Sequence, residues 1–321
     1  MTLQILYIIV GVTLVLWGAD RLTEGASGIA RNMRMPEMVI GLTIVAAGTS
    51  APELFVSLVS ALRGTTDMAV GNVVGSNVFN TMLIVGCAAM VAPMVIASST
   101  VKKDIPATVI ASALMVILCL DDFSSLSLNG KCISRIDGII LFAGFILFMA
   151  YTLKKAKQDS TGQETAETAP AVRRSQPWKC WLWLLVGLGC LIFGSNLFVG
   201  SASAVATQLG MSESVVGLTI VAGGTSLPEL ATSVVAARKG QSAIAIGNVI
   251  GSNVFNILAI LGLTATVCPI QIQGITLLDV GMQLGSVLLL WFFCFTKYTV
   301  ARWEGALLSL LFIAYMAVLI G

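Results

Sequence analysis

The chain has 321 residues, 57% of them hydrophobic and 11% charged, with a formal net charge of +2 and a mean hydropathy of +0.94. A soluble domain carries about a quarter charged residues, so this chain lacks the charge to clothe a water-facing surface and reads as an all-α integral membrane protein in a lipid bilayer. It has no histidine, which removes the commonest metal ligand and the usual near-neutral proton carrier, and no nucleic-acid partner is expected.

The opening run "MTLQILYIIVGVTLVLW" has no charged leader and no small-residue cleavage site, so residues 3–24 read as a first span, not a removable signal. Further apolar runs near the roughly 20-residue spanning length follow at 36–62, 68–92, 104–120 and 136–153. A polar stretch, residues 154–179, is rich in Thr, Ala and Gln and reads as a flexible linker, too short for a folded domain. Five more spans are expected at 180–207, 213–237, 242–268, 276–296 and 302–320. The seven cysteines are scattered without CxxC spacing, which argues against a disulfide frame or a zinc site.

Basic residues orient these spans. With the N-terminus outside, the cytoplasmic loops hold 15 of the 18 lysines and arginines, leaving Arg63, Lys131 and Arg135 on the other side. Such an asymmetry is a positive-inside signal. Both termini are expected outside and the linker in the cytoplasm, in the cell (inner) membrane.

The chain also repeats itself. "GLTIVAAGTSAPEL" at Gly41–Leu54 returns as "GLTIVAGGTSLPEL" at Gly217–Leu230, and "GNVVGSNVFN" at Gly71–Asn80 returns as "GNVIGSNVFN" at Gly247–Asn256. Residues 1–153 and 180–321 are therefore read as two five-helix halves. Five is odd, so the second half enters the membrane from the opposite face: ten transmembrane helices as two inverted repeats, the architecture of secondary transporters.

Glu53 and Glu229 fall mid-span, where a carboxylate costs about 2.5–3.5 kcal/mol on permissive insertion scales. No lysine or arginine lies mid-span to pair with them. Thr49 and Ser50 stand four and three residues before Glu53, on one helix face, and Thr225 and Ser226 repeat this before Glu229. Pro52 and Pro228 lack an N–H and disturb the helix four residues back. Carbonyls of Ala46, Thr49, Ala222 and Thr225 then become available to a polar cavity. In the neighbouring spans Ser76 and Asn80, and Ser252 and Asn256, lie four apart on one face. Gly71 with Gly75, and Gly247 with Gly251, have the spacing of close helix approach, and Asn72, Asn77, Asn248 and Asn253 read as interhelical hydrogen-bonders. Carboxylates, carbonyls, hydroxyls and amide oxygens without sulfur or imidazole make a hard-cation site. Calcium takes 6–8 such oxygens, partly from backbone.

At these residues the sequence resembles the cation/calcium exchanger superfamily, in particular its prokaryotic sodium/calcium exchanger-like branch, over essentially the whole chain. The resemblance implies ten helices in inverted halves and ion sites between the second, third, seventh and eighth. It implies that Glu53 and Glu229 hold calcium with the Thr49 and Thr225 carbonyls. Sodium would use Ala46, Ser50, Ser76, Ala222, Ser226 and Ser252, with Asn80 and Asn256 completing the middle. Potassium-dependent members carry an aspartate where this chain has Asn256, and proton-coupled members differ around the glutamate. Both departures favour potassium-independent exchange of calcium for sodium. Transported Ca2+ and Na+ are the bound ions expected, with no cofactor and a monomer as the working unit. A calcium/proton antiporter is the alternative, a passive cation channel the rival from another class. No nucleophile–base set or HExxH motif points to an enzyme.

Overall fold

The computed structural model describes residues 2–120, 128, 130–162, 176–209 and 222–320. Among them the fold is helical, with eight helices long and apolar enough to cross a membrane and one further bent pair. In chain order these are α1 (Thr2–Met33), the pair α2 (Glu37–Thr49) and α3 (Ala51–Leu62), α4 (Met68–Val91), α5 (Thr100–Leu120), α6 (Arg135–Gly162) and α7 (Pro177–Gln208). After them come the short α8 (Ala222–Thr225), α9 (Leu227–Arg238), α10 (Ser242–Val267), α11 (Leu277–Lys297) and α12 (Arg302–Ile320). The start of the span expected at 213–237 lies outside the described residues up to residue 221.

Several helices outrun their apolar stretches. The helix α1 continues past Glu24 to Met33 because its charges are neutralised along the way. Arg21 pairs with Asp20 at 2.9 Å and Glu24 at 2.6 Å, and Lys239 reaches Asp20 at 2.7 Å. Beyond them Ala26, Ile29 and Ala30 are buried. At the linker, α6 runs on to Gly162 and α7 begins at Pro177, so helix enters the expected flexible stretch from both sides. Residues 163–175 of that stretch lie outside the described residues.

Glycines decide who packs on whom. Gly11, Gly18 and Gly25 recur every seven residues, about two helical turns, and face Gly194, Gly187 and Cys180 of the antiparallel α7. A Cβ on Gly18 would stand 2.7 Å from the Gly187 carbonyl oxygen, and one on Gly25 2.6 Å from that of Cys180. Two further contacts cross between the sequence halves: Gly86 of α4 meets Gly305 of α12, and Gly262 of α10 meets Gly138 of α6. The spacing of Gly247 and Gly251 works as expected. Their missing side chains admit the α2 backbone, with the Met38 and Leu42 carbonyl oxygens 2.9 Å and 2.6 Å from where Cβ atoms would sit.

Two short antiparallel ribbons, invisible in the apolar pattern, staple loops of the two halves. The strand β1 (Met94–Val95) pairs with β4 (Thr299–Val300), and β2 (Cys132–Ile133) with β3 (Ile270–Gln271). The helix α11 is set by a capping box, in which the Thr276 side chain accepts from Asp279 N and the Asp279 carboxylate from Thr276 N.

Candidate functional site

Both repeated segments break at the serine of Gly-Thr-Ser. Ser50 (φ −83°, ψ 7°) and Ser226 (φ −88°, ψ 7°) leave helical geometry by nearly the same amount. The proline two residues on stands in the first turn of α3 and of α9, where its missing N–H costs little. In the first copy α2 and α3 meet at 45°. The disturbance is narrower than a general unwinding. The Ala46 carbonyl still accepts from Ser50 N at 2.9 Å, and that of Ser50 from Leu54 N at 3.1 Å. The break therefore re-aims the chain more than it strips its carbonyls, and it places each glutamate in the first turn of a new helix, where the helix dipole favours a negative charge.

The two glutamates are then gripped crosswise. Ser50 of the first copy donates to Glu229 Oε1 at 2.9 Å, and Ser226 of the second donates to Glu53 Oε1 at 3.1 Å. Ser76 Oγ lies 3.3 Å from Ser226 Oγ. Thr49 and Ser252 flank Glu229, as Thr225 flanks Glu53. Both carboxylates are 1% exposed. Among the described residues their ends meet no basic group, whereas Asp20, Glu24 and Asp104 are ion-paired.

A second layer holds the backbone under each glutamate. Asn72 donates to the Glu53 carbonyl at 3.2 Å and to Ser57 Oγ at 2.9 Å. Asn248 does the same for Glu229, at 3.4 Å and with Ser233 Oγ at 3.0 Å, and accepts from Thr49 at 3.1 Å. In the middle, Asn80 donates to Asn253 Oδ1 at 3.2 Å and Asn256 to Asn77 Oδ1 at 3.0 Å. Both ligand-type asparagines sit in wide π-helical turns, Phe79–Ile84 and Phe255–Leu261. Such turns insert a residue into the α-helical ladder and cluster at functional sites.

What remains is a set of oxygens without donors. Glu53 Oε2, Glu229 Oε2, Asn80 Oδ1 and Asn256 Oδ1 are buried and have no hydrogen-bond partner among the described residues. Leaving one buried acceptor unpaired costs about 1–3 kcal/mol, more if it is charged. Four of them, related pairwise between the copies, are acceptors of the kind a positive ligand would satisfy.

The structure thus gathers Glu53, Glu229, Ser50, Ser226, Ser76, Asn80 and Asn256, with Thr49, Thr225 and Ser252 at the glutamates. Ala46 is buried in α2. Ala222 opens α8 at the edge of the described residues. Reading the sequence missed Ser57 and Ser233, the partners of Asn72 and Asn248. Their signal was present, since both copies keep a serine four residues after the glutamate. It also missed Thr81, for which no such signal exists, because the second copy has Ile257 there.

Comparison with known proteins gives this geometry a family. The sequence matches the sodium/calcium exchanger protein family over residues 3–154 and 179–321. The chain belongs to the sodium/calcium exchanger family. This is a family of transporters, not of enzymes, and the exchanger is a multi-pass membrane protein. It is 38% identical to CaxA of Alkalimonas amylolytica, over 99% of both chains. It is 31% identical to the sodium/calcium exchanger MaX1 of Methanosarcina acetivorans, again over 99% of both. Its fold is similar to that of the sodium-calcium exchanger NCX_Mj soaked with 2.5 mM Na+ and 0.1 mM Ca2+, with a TM-score of 0.83 at 29% identity over 98% of each chain.

Proposed function

We propose that the exchanger moves calcium against sodium by alternating access, without potassium, through the site between Glu53 and Glu229. The observation that carries this reading is the quartet of buried, donor-free oxygens on Glu53, Glu229, Asn80 and Asn256. Two carboxylates balance one divalent charge, and the two neutral amide oxygens add coordination without adding charge. Calcium then lies between the carboxylates, with the Thr49 and Thr225 carbonyls. Sodium uses Ala46, Ser50 and Ser252 with their counterparts Ala222, Ser226 and Ser76. Exchange in place of leakage follows from electrostatics. Two carboxylates facing each other with no cation repel and resist closure in a low dielectric, so only a loaded site reorients.

The reading includes ten spans as two inverted five-helix halves, residues 1–153 and 180–321, joined by a cytoplasmic segment. Two features support it. The family match falls on either side of that segment. The ribbons also bring together loops that the charge count places on the same side: 94–95 with 299–300, and 132–133 with 270–271. Potassium independence rests on Asn256, an amide where potassium-dependent relatives of the superfamily use a carboxylate. A monomer in the cell membrane, termini outside, completes the proposal.

The test is calcium-45 uptake into proteoliposomes holding the purified chain. Uptake driven by an outward sodium gradient, unchanged by potassium, is the expected result. Uptake driven by a pH step in sodium-free buffer makes the protein a calcium/proton antiporter, and uptake needing no counter-ion makes it a channel.

A further inference from the structure

We propose that Asn77 and Asn253 are positioning residues that set the ion preference of the site by deciding which end of a neighbouring amide faces the cation. The inference rests on the reading above, in which Asn80 and Asn256 are cation ligands through Oδ1.

A carboxamide offers an acceptor oxygen and a donor NH2 group from nearly the same footprint. Packing shape alone therefore does not choose between a ligand and a group that repels a cation. In this chain the choice is made by hydrogen bonds between the two copies. The Asn80 NH2 group is taken by Asn253 Oδ1 at 3.2 Å, and that of Asn256 by Asn77 Oδ1 at 3.0 Å. Each ligand asparagine is thus held by an asparagine of the other copy, three residues before that copy's own ligand.

The holding asparagines are themselves locked. The Asn253 NH2 group donates to Thr81 Oγ1 at 2.7 Å, and the Thr81 hydroxyl donates to the Asn77 carbonyl at 2.9 Å. The Asn77 NH2 group points at the Asn253 carbonyl, 3.5 Å away. With their donors engaged elsewhere, Asn77 and Asn253 can turn only Oδ1 towards the ligand amides. The NH2 groups of the ligand amides are thereby taken, which leaves Oδ1 as the free end of each. All four asparagines and Thr81 are at most 2% exposed, so no bulk water competes for these bonds. The consequence is visible in the structure: Oδ1 of Asn80 and of Asn256 are the atoms left without donors. The lock is asymmetric. Thr81 has no hydroxyl counterpart at Ile257, so the Asn253–Asn80 arm carries the longer chain of bonds.

The experiment measures equilibrium calcium-45 binding, and its competition by sodium, on the purified full-length chain in detergent, alongside thermal unfolding. Asn253→Ala and Asn77→Ala are each expected to weaken calcium binding about tenfold, the effect of losing one correctly oriented oxygen ligand, with sodium competition altered less. The decisive readout is a crossed double-mutant cycle. Asn253→Ala should add nothing to Asn80→Ala yet add fully to Asn256→Ala, and Asn77→Ala should behave in the mirror sense. A purely structural role gives no such crossing. Equal additivity in both pairings, or unchanged calcium binding, overturns the proposal. Should an asparagine variant not fold, Thr81→Val removes only the outer lock. It is expected to weaken calcium binding about threefold, and an unchanged affinity overturns the proposal equally. Wild-type protein that binds no calcium overturns this inference together with the site reading. Wild-type binding with uncrossed cycles overturns this inference alone.

Discussion

The α1–α7 pair and the segments that build the site are held together by opposite kinds of contact. Along α1 and α7 the backbones touch at three successive glycine levels, with Gly11, Gly18 and Gly25 against Gly194, Gly187 and Cys180. Arg21 lies over Trp17 and Trp183 at 5.8 and 5.1 Å from the ring centres, which adds a polar clasp at one end. At the site, the contacts are side-chain hydrogen bonds aimed at one point: Ser50 to Glu229, Ser226 to Glu53, and the asparagine network. Backbone apposition gives many weak contacts that care about shape and little about charge. Aimed hydrogen bonds give few contacts that fix where charge sits. Between the two regions the surface is mainly apolar and incompletely filled. A crevice of about 340 Å³ lies between Val12, Leu16 and Phe198 on one side and Leu230 and Val234 on the other. Polar ties between these regions include Ser27 to Glu37 at 2.7 Å, and Lys239 to Asp20 and Thr23.

The contrast can be broken first at the site. Glu53→Gln or Glu229→Gln is expected to reduce sodium-driven calcium uptake at least a hundredfold while leaving the unfolding temperature nearly unchanged. Each change removes half of the charge balancing a divalent ion but keeps the shape. Retained uptake in both variants defeats the site assignment. Gly187→Leu should do the reverse. Its side chain would start 2.5 Å from Leu22 N and 2.6 Å from the Gly18 carbonyl oxygen, a backbone clash costing about 1–3 kcal/mol or more. A lowered unfolding temperature in detergent is the expected measurement, and unaltered stability means that the pair is not held by close approach.

Ser226→Ala sharpens the picture at smaller scale. It removes the serine bond to Glu53 Oε1. A hydrogen bond to a charged group is worth about 1.5–3 kcal/mol, so calcium affinity should fall about tenfold or somewhat more in the binding assay. Loss of stability without loss of affinity contradicts a role at the site. Least of all, Lys239→Ala cuts the tie to Asp20, a partly exposed pair of the kind worth about 0–1 kcal/mol. Stability should change little, and the change should shrink further in high salt. A large, salt-independent effect makes Lys239 a structural anchor instead.

Much of the fold was legible because a bilayer demands long apolar runs, and nothing else in the chain imitates them. That each repeated segment is disturbed ahead of its proline was legible from Pro52 and Pro228, since a residue without an N–H interrupts the hydrogen-bonded ladder; the place was not, because the break falls at Ser50 and Ser226 and not four residues back at Gly48 and Gly224. The helix ends were less so. Apolarity stops at Asp20–Glu24, whereas α1 goes on, because Lys239, distant in sequence, helps neutralise the charges there. The π-turns at Asn80 and Asn256 had no signature, as no residue type requires one.

The duplicated residues were enough to single out Glu53, Glu229, Asn80 and Asn256 as candidates, because carboxylates and amides are too costly in an apolar span to be repeated without a partner. A sequence lists the donors and acceptors of each copy separately. Only the packing of one copy against the other decided that Ser50 serves Glu229 while Ser226 serves Glu53, and that the amide oxygens of Asn80 and Asn256 are the ones left unpaired. Hydrogen bonds are short and directional, and these join residues more than 170 positions apart, so their pairing is set by tertiary geometry.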